Sequence, residues 1–319
     1  MQKIEKLLQK RAAELLAEGT VEHVLAWQAG EFFYDNTPAA VSSADECDKL
    51  VYNEFCPANL CKYLIETSHA GKKTAVFLKP CDTYGVNQLL KDNRIKRELV
   101  YAIGTPCSGM LDINKIKAAG AKGIISVSVD CEEVVVNTAY GEKRLAKADV
   151  LLNKCLMCKG AAYKIADEEL AEPQFTGDKF AKVKEIEAMS AEERFAFWQS
   201  ELSKCIRCNA CRDICPACSC EQCVFDNPAS GVSQKAAADS FEENMFHIIR
   251  AFHVAGRCTD CGECSRVCPQ GIPLHLFNRK FIKEINTLYG DYQAGLDLDS
   301  PAPLTSFRQD DAEPGVGRG

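Results

Sequence analysis

The sequence predicts an α/β N-terminal domain with a partly parallel sheet, followed by a smaller helical domain organised around cysteines. Three observations carry this expectation. Short apolar runs alternate with amphipathic stretches through the first half of the chain, and composition turns polar near residue 165. Beyond that point one cysteine spacing is written twice, at Cys205 and again 53 positions later at Cys258.

The elements come in order along the chain. LLQKRAAELLAEG has apolar residues at helical spacing and stops at Gly19; VEHVLAW and EFFY then read as short strands. A helix is expected over PANLCKYLIETS, and Gly71 leads into the buried-strand run TAVFLKP. Helix GVNQLLKD, strand ELVYAIG, helix INKIKAAG and strand GIISVSV continue the alternation, the pattern of a sheet with parallel crossovers. The polar stretch DEELAEPQFTGDK, with Pro173 and Gly177, reads as a connection between domains. Three further helices are expected over AEERFAFWQSELSK, DSFEENMFHIIRAFHVAG and PLHLFNRKFIKEINTLYG. In the middle one, Phe241, Met245, Ile248, Ile249 and Phe252 share a face that is expected to pack on the cysteine module. The end, rich in Pro, Gly and Asp, is expected to lack a fixed fold. The expected domains are therefore 1–165, 166–290 and a flexible tail over 291–319.

Composition narrows the chemistry. Nineteen cysteines in 319 residues exceed what an ordinary cytosolic fold uses, so they reflect disulfides or metal. No charged-then-apolar leader is visible, and no apolar run approaches the roughly 20 residues of a membrane span. A reducing cytoplasmic location is expected, where disulfides are rare, which favours metal. With 46% hydrophobic and 26% charged residues the chain is globular. A net charge of -7 without a Lys/Arg stripe gives no sign of nucleic-acid binding.

CIRCNACRDIC precedes Pro216 and CTDCGECSRVC precedes Pro269. A C-x2-C-x2-C loop wraps three corners of a cubane 4Fe-4S cluster, and in two-motif ferredoxins the fourth cysteine of each run serves the other cluster. On that rule Cys205, Cys208, Cys211 and Cys268 hold one cluster, while Cys258, Cys261, Cys264 and Cys215 hold the second. The C-terminal half is thus expected to be a helical di-cluster ferredoxin-like domain. Zinc sites would instead show two separated C-x2-C pairs. Cys81 and Cys107 each come just after a predicted strand, and Cys155 and Cys158 form a further C-x2-C pair. Adjacent parallel strands bring their C-terminal ends together, so four thiols can meet at that edge.

KPCD, then GTPC, then KCLMC, in that order, resembles the coenzyme F420 hydrogenase/dehydrogenase beta subunit family, with its sulfhydrogenase and anaerobic sulfite reductase relatives. CPACSCEQCVFD is similar to the segment after the first ferredoxin motif in the formate dehydrogenase type. The resemblance spans most of residues 20 to 290 and implies a third 4Fe-4S cluster on Cys81, Cys107, Cys155 and Cys158. Flavin-containing members begin with a glycine-pair loop that this chain lacks. The resemblance therefore implies an iron-sulfur relay beside a separate flavin subunit, with FAD in this chain as the rival.

Cys47, Cys56, Cys61, Cys131, Cys218, Cys220 and Cys223 are expected to be mostly buried small hydrophobes, with an additional metal as the alternative. His23, His247 and His253 are expected to be satisfied structurally, and no nucleophile and base pair or phosphate loop emerges. The expected function is an iron-sulfur electron-transfer subunit of a cytoplasmic oxidoreductase complex of anaerobic metabolism. Its expected partners are a flavin, hydrogenase, formate dehydrogenase or heterodisulfide-reductase-like subunit. The rivals are an FAD-containing subunit acting on F420 or a nicotinamide, and a zinc-stabilised scaffold.

Overall fold

Helix α1 (Gln2–Ala17) buries Leu8, Ala12 and Leu15, spaced one helical turn apart, in the N-terminal core. Strands β1 (His23–Ala29) and β2 (Asn36–Val41) pair antiparallel, and β3 (Leu50–Val51) joins the far end of β1. Then come α2 (Leu64–His69), β4 (Thr74–Leu78), α3 (Pro80–Lys91) and β5 (Val100–Gly104). β1, β4 and β5 run parallel, with β4 buried along its whole length, so a continuous apolar run was the correct signal for it. This computed structural model describes residues 2–160, 162–172, 180–227, 229, 240–304 and 306.

After α4 (Ile113–Ala118), capped by Asp112 accepting the Asn114 N–H, the chain makes a separate antiparallel meander of β6 (Ile124–Asp130), β7 (Glu133–Thr138) and β8 (Gly141–Ala146). Short helices α5 (Lys147–Val150) and α6 (Asn153–Leu156) return to the first sheet, where β9 (Glu168–Glu169) pairs with β5. The C-terminal part is helical: α7 (Ala181–Glu187), α8 (Ala191–Leu202), α9 (Ala210–Asp213), α10 (Ser240–Val254), α11 (Glu263–Arg266) and α12 (Leu274–Tyr289). A Ser190/Glu193 capping box starts α8. The architecture is a mixed parallel and antiparallel sheet with helices, then a helical cysteine-rich region.

Several expectations are corrected. EFFY is a turn, closed by the Gly30 N–H donating to Asp35 O at 2.7 Å, and the strand lies at β2 instead. GIISVSV does form a strand, but in the meander and not the parallel sheet, because β7 and β8 offer it local antiparallel partners. The helix expected from Pro57 is a 3-10 turn over Cys61–Tyr63 leading into α2. The supposed connection from residue 167 begins as β9, anchored by Arg11 on Glu168 at 2.9 Å; residues 173–179 lie outside the described residues.

α10 turns a different face inward. Phe246, His247, Arg250, Ala251 and Val254 are buried, whereas Met245 and Phe252 are 37% and 62% exposed and Ile248 and Ile249 half-buried; the Phe241 side chain lies outside the described residues. Apolar residues occupy both sides of this helix, and the side against the cysteine loops carries the polar groups. The chain beyond 290 is also ordered further than expected. Ala294 is buried, Asn87 Nδ2 donates to Gly295 O at 3.1 Å, and Lys91 donates to Ser300 O. Residues 307–319 lie outside the described residues.

The helical region is seated on the α/β region by buried polar contacts. Glu263, fully buried, accepts from Lys154, from Arg266 at 2.7 Å and from the Asn59 N–H at 3.1 Å. Arg257 pairs with Asp92 at 2.6 Å, and Lys62 donates to Cys218 O at 2.7 Å.

Candidate functional site

Cys81 lies in the first turn of α3, just past the C-terminal end of β4, and Cys107 comes after β5 in the same way. α6 and the residues after it carry Cys155 and Cys158. All four line one small cavity, together with Lys79, Lys154, Gly109, Met110 and Gly160. Main-chain donors face the sulfurs: Met110 N–H to Cys155 Sγ at 3.3 Å and Gly160 N–H to Cys158 Sγ at 3.2 Å. Such bonds favour the thiolate over the thiol. Two buried cations add to this. Lys79 is held by Asp82 at 2.8 Å and by Ala58 O at 2.8 Å, and Lys154 by Glu263.

The two C-terminal motifs repeat one backbone. Arg207 and Asn209 are left-handed at φ 54° and 62°, and so are their counterparts Asp260 and Gly262 at 56° and 71°. These reversals curl each C-x2-C-x2-C loop, and a single helical turn comes next, α9 carrying Cys211 and α11 carrying Cys264. Non-glycine residues enter this region rarely, so its recurrence at matched positions reflects a constraint on the loop. Cys205, Cys208, Cys211 and Cys268 line one small cavity, and Cys215, Cys258, Cys261 and Cys264 line another. The last cysteine of each run thus lies in the cavity of the other triplet. The Arg207 N–H donates to Cys205 Sγ at 3.4 Å, and Asn278 Nδ2 to Cys264 Sγ at 3.8 Å.

Buried polar atoms around these cavities are unpartnered among the described residues. They include Arg250 Nε, both ring nitrogens of His247, and His275 Nε2. Arg250 is almost wholly buried and donates to Cys211 O at 2.8 Å; the ionisable groups acting on it are Cys215, Cys218, Cys264 and Cys211. A buried guanidinium facing cysteines instead of a carboxylate is costly unless negative charge sits beside it. Four thiolates around a 4Fe-4S centre supply that charge, so the donor set and the orphaned donors fit such a group. Among the described residues, no group of three or more His, Cys, Asp or Glu side chains closes around a single metal ion, which needs its ligand atoms nearer together than the four thiolates of a cubane.

The three cavities are neighbours in sequence of contact. Gly262, between Cys261 and Cys264, lies so close to Lys154, next to Cys155, that an added Cβ would stand 2.5 Å from the lysine Cβ. Arg250 spans the other two sets, and Cys208 at the far end is exposed.

The remaining cysteines divide. Cys47, Cys56 and Cys61 are buried in the N-terminal core, where Cys61 Sγ donates to Asp82 O at 2.9 Å. Cys131 is exposed in the β6–β7 turn. Cys218, Cys220 and Cys223 line a larger cavity with Lys62, Arg212, Arg250 and Arg257. Sequence reasoning named neither His275 nor Arg250, and it expected His247 to be satisfied structurally, whereas both its ring nitrogens are unpartnered among the described residues. The signal was available, since His247 and Arg250 sit at i and i+3 beside the apolar Phe246, Ala251 and Val254 on one helical face.

Comparison with known proteins bears on both regions. Residues 201–272 match the 4Fe-4S dicluster domain family, a span that contains every cysteine of the two C-terminal cavities. The chain is 27% identical to the F420-dependent formate dehydrogenase subunit beta of Methanocaldococcus jannaschii, over 92% of each protein. It is 25% identical to the F420-dependent formate dehydrogenase 1 subunit beta of Methanococcus maripaludis, over 91% of this chain and 90% of that one. Curated homologues of the chain are F420-dependent formate dehydrogenase beta subunits. The F420-reducing [NiFe] hydrogenase complex from Methanosarcina barkeri contains a chain that aligns with TM-score 0.38 and 14% identity, over 49% of this chain and 62% of that one. Residues 201–272 are a 4Fe-4S dicluster domain, and the chain has the character of an iron-sulfur electron-transfer protein. No described helix is long and apolar enough to cross a membrane.

Proposed function

We propose that the protein is the iron-sulfur electron-transfer subunit of an F420-linked formate dehydrogenase or a related redox complex, and that it carries three 4Fe-4S clusters. The first is held by Cys81, Cys107, Cys155 and Cys158. The second is held by Cys205, Cys208, Cys211 and Cys268, and the third by Cys215, Cys258, Cys261 and Cys264. When bound, such clusters accept and release single electrons; the chain supplies spacing, burial and local charge. The observation that carries the reading is three cavities, each lined by four cysteines and met by an N–H donor to sulfur. Their order of contact, with the α/β site at one end and the exposed Cys208 at the other, suits a chain that joins two partner subunits.

Anaerobic purification of the full chain with iron and acid-labile sulfide analysis tests this. About twelve iron atoms are expected, four for each four-cysteine set, with visible absorbance that dithionite bleaches. Cys81→Ser should lower the iron by about a third. Zinc in place of iron would end the electron-transfer reading, and about eight iron atoms insensitive to Cys81→Ser would remove the α/β site from it.

A further inference from the structure

Each C-terminal cysteine cavity has a buried imidazole in its wall. His275, 4% exposed near the start of α12, lines the cavity of Cys215, Cys258, Cys261 and Cys264. His247, 2% exposed on α10, lines the cavity of Cys205, Cys208, Cys211 and Cys268. Neither is satisfied among the described residues: His247 has no partner at either nitrogen, and His275 has none at Nε2. A buried donor left unpaired is costly, so its recurrence at both cavities points to an acceptor there.

The tautomer of His275 is set by Ser265. Ser265 Oγ accepts the His275 backbone N–H at 2.9 Å and lies 2.7 Å from His275 Nδ1. A hydroxyl has one hydrogen to give, and among the described residues Nδ1 is the acceptor beside it; with the hydroxyl donating there, the ring hydrogen lies on Nε2. Arg279 engages the nearby carboxylate of Asp260 through Oδ1 at 2.7 Å; Oδ2 has no partner among the described residues and makes no hydrogen bond with His275 Nε2. For His247 the tautomer is immaterial, because whichever nitrogen carries the hydrogen has no described acceptor.

We propose that His275 and His247 each donate a ring N–H to the cluster in their own cavity and so raise its reduction potential. This rests on the cluster reading above. One-electron reduction of a cluster adds one negative charge to the cavity and moves no proton. An N–H dipole fixed by a helix in a low-dielectric wall stabilises that added charge more than it stabilises the oxidised state. Neither imidazole is needed as a ligand, since each cavity has four cysteines.

The test is redox titration of the full-length protein with dithionite and mediators, followed by electron paramagnetic resonance. Signals are first assigned with Cys208→Ser and Cys258→Ser. His275→Leu should lower the potential of the Cys258 signal by about a tenfold change in its reduction constant, about 59 mV for one electron, and leave the Cys208 signal in place. His247→Leu should do the reverse. His275→Gln, which keeps an N–H, should recover part of the shift, and Ser265→Ala should move the same signal in the same direction by less. Unshifted potentials in variants with full iron, or a shift confined to the opposite site, overturn the proposal. If a leucine variant loses iron, the Gln and Ser265→Ala variants decide by the same criterion. Absence of iron from the unmodified protein is a different result, and it defeats the cluster reading itself.

Discussion

Replacing Glu263 with alanine should open the seam between the α/β and helical regions. The carboxylate is fully buried and accepts from Lys154, from Arg266 through both of its oxygens, and from the Asn59 N–H. Removing it strands two cations, of which Lys154 is only 7% exposed in its side chain, and leaves a main-chain donor unpaired. Breaking a buried pair from one side costs about 3–5 kcal/mol. At 1.36 kcal/mol per factor of ten, that raises the open population by roughly two to four orders of magnitude. Lys154→Met should cost less, because Glu263 keeps Arg266 and Asn59. Hydrogen exchange of the iron-loaded full chain, read on peptides covering 57–63, 150–158 and 258–266, reports the opening locally without requiring two-state unfolding. A Lys154→Met effect equal to or larger than that of Glu263→Ala would refute the reasoning, as would unchanged exchange in both.

The matched backbone of the two motifs makes a paired prediction. Gly262→Ala should lose iron from the Cys258 set, because its φ of 71° disfavours a side chain and the new Cβ would lie 2.5 Å from Lys154 Cβ. Asn209→Gly, at the corresponding position with φ 62°, should keep its iron, which metal analysis of both variants checks. Cys268→Ser should disturb the signal assigned to Cys205, Cys208 and Cys211; an effect restricted to the Cys258 set would show that the last cysteines do not cross. Gly295→Ala should release residues 291–304 from α3, since the added Cβ would stand 2.0 Å from Tyr84 O, and limited proteolysis should then cut that segment sooner than in the parent protein.

Periodicity and spacing determined much of this protein. The apolar runs at β4 and β5 announced buried parallel strands because the signal is local: a strand enclosed on both faces needs an unbroken apolar stretch. Likewise C-x2-C-x2-C-x3-C-P, written twice, is a short-range pattern, and so is Gly262, which permits the left-handed turn its loop makes. The features left undecided by sequence depend on partners distant along the chain. GIISVSV has the composition of a strand, but only the neighbouring β7 and β8 placed it in the meander. α10 has apolar residues around most of its circumference, so its buried face was set by packing against the cysteine loops, which places His247 and Arg250 beside them. Lys154 and Glu263, 109 positions apart, carry no mutual signal in sequence. Their pairing exists because folding brings Cys155 and Gly262 together, and a charge buried at that seam must be met by its opposite.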